Sequence, residues 1–269
     1  MIVKSIRVKS ALSKSGLKEI NYSLNPYLGC VFSCPYCYAP NFTPDREASE
    51  NWGKVVAVKE NLLEVLEREV KIYKRGVVGI STITDAYQPI EALRKLTRES
   101  LKILLKNGFR VSIQTKSPLV LRDIDLLLEY KDRVDVGFTV TSLNNKLELN
   151  APPAKGRLRA LEKLSSEGLE TWIFLGPIIQ GVNDAEVENI IREISNIKVR
   201  VIFDSFHYYR GLKFKEGSTQ WWVNLRNRIL ENCKRYGMEC HEESEDWIYE
   251  KRRIIKLFSI RFQLLLLMS

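Results

Sequence analysis

Two kinds of segment alternate through the middle of the chain. Val77 to Thr82, Val111 to Gln114, Val134 to Val140, Thr171 to Leu175 and Val199 to Phe203 are short, β-branched and apolar on successive positions. That pattern predicts strands buried on both faces. Around them, Glu60 to Lys74, Ile90 to Lys106, Leu119 to Lys131, Lys155 to Ser166 and Asp184 to Ser195 repeat apolar residues at helical spacing with charges opposite, the signature of helices packed on one side. Gly108 and Gly168 each follow the last periodic turn, where a helix stops most easily. With a first strand around Ile20 to Leu28, about six strand-helix units result, and their order requires a parallel sheet.

The expected fold class is therefore α/β, a partial (β/α)6 TIM-like barrel, with an open doubly wound sheet as the alternative. Residues 1–19 form an N-terminal segment, 20–215 the barrel, and 216–269 a helical C-terminal extension with two charged, tryptophan-bearing stretches. Both architectures put ligands at the carboxyl ends of the strands. The residues expected there are the cysteine loop after the first strand, Thr84 and Asp85 after the second, and Thr115, Lys116 and Ser117 after the third. Thr141 to Asn145, Gly176 to Asn183 and Asp204 to Tyr209 follow the later ones.

At 269 residues and 45% hydrophobic, the chain can bury one substantial core. Its formal charge of +9 is compatible with an anionic partner such as nucleic acid or a phosphorylated cofactor, although lysine and arginine are spread along its length. "MIVKSIRVKSALSKSG" has no apolar stretch of the secretory kind, so the expected location is cytoplasmic. Leu264 to Met268 falls far short of the roughly 20 apolar residues that span a bilayer, so no membrane association is expected. In a reducing compartment, clustered cysteines point to metal rather than to disulfides, hyperthermophiles being the exception.

The most specific signal is "NPYLGCVFSCPYCYAPN", which spaces Cys30, Cys34 and Cys37 as C-x3-C-x2-C. Thiolates bind soft metals and iron-sulfur clusters. Zinc is the rival reading, but a closed zinc site takes four ligands. Cys233, Cys240, His207 and His241 are all distant in sequence, and there is no second C-x2-C. A cubane cluster held by three thiolates instead keeps one iron open to a ligand from outside the protein.

"CVFSCPYCY" resembles the Cx3CxΦC signature of the radical S-adenosylmethionine (SAM) superfamily, with Tyr36 at the aromatic position. "STITDAYQPIEALRKLTRESLKIL", "IQTKSPLVLRDIDLL" and "RLRALEKLSSEGLETWIFLGPIIQGVND" extend the likeness over roughly Asn25 to Asp184. They are similar to the branch that includes spore photoproduct lyase and many uncharacterised relatives. The resemblance implies a 4Fe-4S cluster on Cys30, Cys34 and Cys37 whose fourth iron is chelated by SAM. It also implies reductive cleavage of SAM to a 5'-deoxyadenosyl radical that abstracts hydrogen from a substrate, and a flavodoxin- or ferredoxin-like electron donor. The cofactor supplies the difficult chemistry and the protein positions it.

The same resemblance assigns Lys116 to the SAM carboxylate and Thr84 and Asp85 to its amino group. The competing readings are a surface lysine beside a Ser-Pro turn, and an N-cap for Asp85. Thr141 and Ser142 are candidates for the ribose or carboxylate, Gly176 and Gly181 for close backbone approach to adenine, and Tyr36 and Tyr38 for packing beside SAM. "FDSFHYYRG" offers aromatic and basic groups that would stack a nucleotide, or a packed loop. Spore photoproduct lyase uses a cysteine after its second strand, whereas Ser81-Thr82-Ile83-Thr84 here contains none. The substrate is therefore open. The alternatives are a DNA or RNA lyase or modifying enzyme, and a zinc-dependent, non-enzymatic nucleic-acid-binding module.

Overall fold

The computed structural model describes residues 1–197 and 199–243. The second tryptophan-bearing stretch and Leu264 to Met268 lie outside the described residues. In chain order the strands are β1 (Ile2–Ile6), β2 (Leu12–Lys14), β3 (Tyr22–Leu24), β4 (Tyr27–Leu28), β5 (Val55–Lys59) and β6 (Val77–Ile80). They continue with β7 (Arg110–Thr115), β8 (Val134–Thr139), β9 (Glu170–Ile178), β10 (Arg200–Ser205) and β11 (Cys240–Glu242). The helices are α1 (Arg46–Glu50), α2 (Leu62–Ile72), α3 (Glu91–Arg94), α4 (Leu96–Lys106), α5 (Ile124–Glu129), α6 (Ala154–Ser166), α7 (Val187–Ile194) and α8 (Thr219–Arg235).

The expected α/β organisation is present. One sheet has the order β11-β10-β9-β8-β7-β6-β3-β2. Its pairings are parallel except for β2, which runs antiparallel to β3. All six residues of β8 are buried, as the unbroken apolar runs predict for a central parallel strand. On α7 the buried positions are Val187, Ile190, Ile191 and Ile194, one helical stripe against the core. No helix among the described residues is long and apolar enough to cross a membrane.

Three local differences from the sequence reading have physical causes. The first nineteen residues are built into the sheets, because β1 pairs with β5 in a second sheet of order β1-β5-β4 and β2 edges the large one. The helix expected over Ile90 to Lys106 divides at Lys95, whose φ is +54°. There the buried Glu91 carboxylate accepts the Thr97 N–H at 3.0 Å, serving an amide of the α4 first turn that has no partner within the helix. Pro118 starts a 3-10 turn over Pro118–Asp123 before α5, so the helix expected from Leu119 is short.

The C-terminal region adds a strand as well as a helix. β11 extends the sheet in parallel beside β10, and Cys240 is joined by a disulfide to Cys233 of α8. Trp221 donates to Asp184 at 2.9 Å and Trp222 to Glu242 at 2.8 Å, and both rings pack against the main core. The two cysteines left open by the sequence are thus paired with each other.

At the amino ends of the central strands, charge pairs and one large ring line a small cavity of about 160 Å³. Arg110 lies 2.7 Å from Glu170 and 3.5 Å from Asp135, and Arg200 lies 3.5 Å from Glu170. Asp135 accepts from Ser112 at 2.6 Å and from the Trp172 indole at 2.9 Å. The indole lies flat over Gly137, where a Cβ would come within 2.3 Å of ring atoms. Gly137 is a glycine because the neighbouring strand puts tryptophan there. Gly137→Ala is therefore expected to overpack this layer and to destabilise the fold by about 1–3 kcal/mol, read as a lower urea midpoint. An unchanged midpoint would contradict the tight indole contact.

Candidate cofactor site at the cysteine loop

At the opposite, carboxyl ends of the strands, a cavity of about 660 Å³ receives Cys30, Cys34 and Cys37 from one side. The loop is shaped by its backbone. Gly29 has a φ of +88°, and a Cβ on it would lie 2.3 Å from the Val55 carbonyl oxygen, so only glycine lets the chain turn here against β5. Gln88, fully buried, then fixes the loop to the segment after β6. Its amide donates to the Gly29 carbonyl at 3.1 Å and its oxygen accepts the Val31 N–H at 3.1 Å. The Thr84 hydroxyl donates to the same carbonyl at 2.7 Å.

All three thiols are free, in contrast to Cys233 and Cys240. Burial pushes the Cys34 thiol up to about 12, against an opposing pull from Lys116. Burial also raises Cys30 and Cys37. Thiols in this setting become thiolates when a metal brings the compensating charge. Among the described residues no three His, Cys, Asp or Glu side chains converge closely enough to hold a single metal ion. An iron-sulfur cluster distributes its thiolates over several irons, and a wider spacing suits it. Of the distant candidates for a fourth zinc ligand, His207 lines this cavity, while its ring nitrogen is 3.0 Å from Asp204.

Lys116 leaves the end of β7 along the cavity wall, with its Nζ 5.7 Å from the Tyr36 ring centroid. Its partner was not foreseen from the sequence. Glu148, 1% exposed, places Oε1 3.7 Å from Lys116 Nζ and accepts the Thr141 hydroxyl at 3.1 Å and the Tyr36 hydroxyl as well. Its Oε2 lies 2.5 Å from Arg157 Nη1, and Arg157 is fully buried. Arg157 also donates to the Pro152 and Thr139 carbonyls at 2.8 and 3.0 Å. Burial alone would raise the Glu148 carboxyl, but Lys116 and Arg157 beside it hold it below its ordinary value. For Lys116, burial works downward and is outweighed by Cys34 and Glu148, so the ammonium is held above its usual range.

The remaining sequence candidates separate into two groups. Thr84, Asp85, Tyr36, Tyr38, Lys116 and Gly176 line the cavity. Asp85 caps no helix. Its carboxylate accepts the Thr115 hydroxyl at 2.7 Å, the Lys116 N–H at 2.8 Å and the Tyr87 N–H at 2.9 Å, and burial raises its carboxyl despite these donors. Tyr38 donates to the Thr82 carbonyl at 2.7 Å, and its ring sits at the mouth beside Phe42 and Tyr209, with centroids 5.8 and 5.6 Å away. Thr141, Ser142 and Gly181 are not among the lining residues. Thr141 shares its one hydroxyl proton between the Gly176 carbonyl at 2.8 Å and Glu148, Ser142 donates to Asn144 at 2.8 Å, and Gly181 is exposed with a φ of +72°. Asn183 ties this region together, donating to the Thr141 carbonyl at 2.8 Å and accepting from Ile179 at 2.7 Å.

Glu148 and Arg157 lie in "NNKLELNAPPAKGR", where no spacing or motif marks them. The one available signal was that an arginine of α6 falls on the apolar stripe with Leu158, Leu161 and Leu164 and so needed an internal counter-charge.

Comparison with known proteins agrees with this geometry. A sequence model described as the Radical SAM superfamily matches residues 24–194. "Uncharacterized protein MJ0683" of Methanocaldococcus jannaschii is 34% identical over 214 residues, covering 78% of this chain and 77% of that protein. "Uncharacterized protein ORF301" of Acidianus two-tailed virus is 31% identical over 229 residues, covering 78% and 75%. Among solved structures, spore photoproduct lyase complexed with dinucleoside spore photoproduct superposes with a TM-score of 0.72 at 12% identity, over 90% of this chain and 81% of that one. Streptococcus suis SuiB bound to precursor peptide SuiA gives 0.63 at 14% identity, over 85% and 50%. With its three-cysteine loop opening on a cavity at the strand ends and this profile of relatives, the chain belongs to the radical SAM superfamily.

Proposed function

We propose that this protein is a radical SAM enzyme in which the parallel sheet serves as a partial barrel and the cavity at its carboxyl end binds a 4Fe-4S cluster and SAM. The observation that carries the reading is that Cys30, Cys34 and Cys37, all free, line one cavity together with Lys116. When bound, the cluster and SAM supply reductive C–S cleavage and the hydrogen-abstracting radical.

The chain's own residues do the rest. The three cysteines hold the cluster, and the Gly29 turn with Gln88 sets where they stand. Lys116 binds the carboxylate of SAM. Asp85, committed to Thr115 and the Lys116 and Tyr87 amides, acts by fixing the backbone from which Lys116 projects. Thr84 and Gly176 border the space for the rest of the cofactor. Tyr38, Phe42 and Tyr209 pack their rings against one another at the rim and narrow the mouth of the cavity.

A second reading, a nucleic-acid-modifying enzyme, draws support from that rim. Tyr38 and Phe42 are 41% and 53% exposed at the mouth, and such rings stack bases at about 1–3 kcal/mol each. The stretch Ser81 to Thr84, without cysteine, does not favour the hydrogen return of spore photoproduct lyase. If nucleic acid is the substrate, its binding falls steeply as salt rises. Affinity indifferent to salt would remove this reading.

Anaerobically reconstituted protein is expected to contain iron and sulfide and to form 5'-deoxyadenosine from SAM with dithionite. Cys34→Ala is expected to lose both the cluster and that product. Stoichiometric zinc without iron would sink the proposal in favour of a zinc module. Lys116→Met should keep the iron but weaken SAM binding by roughly 10- to 100-fold, the loss of a charge-assisted hydrogen bond. Calorimetric titration of cluster-loaded protein measures it, and unchanged affinity would remove Lys116 from the carboxylate site.

A further inference from the structure

The Lys116 subsite carries an internal carboxylate that a simple anion site would not need. Glu148 is 1% exposed, sits in the loop after β8, and reaches three elements of the site at once. Through Tyr36 it touches the cysteine loop between two cluster ligands, through Thr141 the end of β8, and through Lys116 the end of β7. Its second oxygen faces Arg157, which has no access to solvent. A buried ion pair of this kind is weak support for stability, since well-packed apolar residues usually do as well or better. Its position next to Lys116, at the end of β7 on the cavity wall, calls for another reason.

We propose that Glu148, balanced by Arg157, acts through Lys116 and holds down the attraction of that subsite for a carboxylate. The inference rests on the SAM reading above and deepens it at the same site. Behind Lys116 the paired side chains are Arg157, positive, and Glu148, negative. These two charges offset each other. The incoming carboxylate is thus held by the short contact with one ammonium and not by a strongly positive pocket, which leaves it exchangeable. Glu148→Gln keeps an acceptor for the Tyr36 and Thr141 hydroxyls while removing one negative charge. Arg157→Gln removes one positive charge, and the double variant restores the wild-type balance.

The charges therefore predict an order that a packing role does not. In cluster-loaded full-length protein, SAM affinity is expected to rise about tenfold in Glu148→Gln, to fall about tenfold in Arg157→Gln, and to return near wild type in the double variant, from one charge at partly screened distance. The midpoint potential of the cluster, followed spectroscopically under titration without turnover, is expected to move in parallel. It should be higher in Glu148→Gln, where added positive charge favours the reduced form, lower in Arg157→Gln, and restored in the pair. Weakened binding in all three variants, or affinity and potential unchanged in all three, overturns the proposal. Should Glu148→Gln alone not fold, the comparison of Arg157→Gln with the double variant decides, and equal affinity in those two overturns it. A wild-type protein that loads no cluster or binds no SAM overturns both this inference and the reading beneath it.

Discussion

Holding three free thiols, one buried and two half-buried, in one loop beside a cavity is the constraint around which this molecule is arranged. Buried thiols resist ionisation, and burial raises all three here. A metal can take them as thiolates only if the loop presents them without rearrangement, and such a loop has few ways to be rigid. It is too short for secondary structure of its own beyond brief turns, such as the Cys37 N–H to the Cys34 carbonyl at 3.0 Å. Its rigidity comes from neighbours: the Gly29 approach to β5, the Gln88 bonds, and Tyr36 held by Glu148 and Thr141.

Those neighbours explain the less expected parts of the fold. β5 belongs to a small second sheet, and without it Gly29 would have no backbone to turn against. The segment after β6 is stiffened by the Asp85 carboxylate and by Gln88, so the β7 terminus and the cysteine loop keep a fixed relation. The two ends of the sheet divide the labour. At the amino ends, charge pairs and the Trp172 indole line a small cavity of about 160 Å³, while the larger cavity at the carboxyl ends carries cationic and thiol groups. This is the usual division in parallel α/β proteins, where one end serves stability and the other chemistry.

Much of this was legible from sequence because it depends on short-range patterns. Unbroken β-branched runs give central parallel strands, and apolar residues at helical spacing give α2, α6 and α7. The boundaries that differed all depend on contacts from elsewhere. Lys95 breaks a periodic helix because Glu91 turns to serve Thr97, and Thr141, a plausible cofactor ligand by position, is already engaged by Glu148 and the Gly176 carbonyl. Gly181 has the positive φ that glycine permits but is exposed and does not line the cavity.

By itself the sequence determined the α/β class, the cysteine loop with its three-thiol spacing, and the placing of Thr84, Asp85 and Lys116 after their strands, because each is set by neighbours within a few residues. Only the tertiary structure decided that Cys233 and Cys240 join each other, that Asp85 spends its carboxylate on backbone and hydroxyl donors, and that Glu148 and Arg157 stand behind Lys116. Those pairings unite residues from separate loops, strands and helices. Their partners are chosen by what is buried together, and burial is a property of the packed chain rather than of any local stretch.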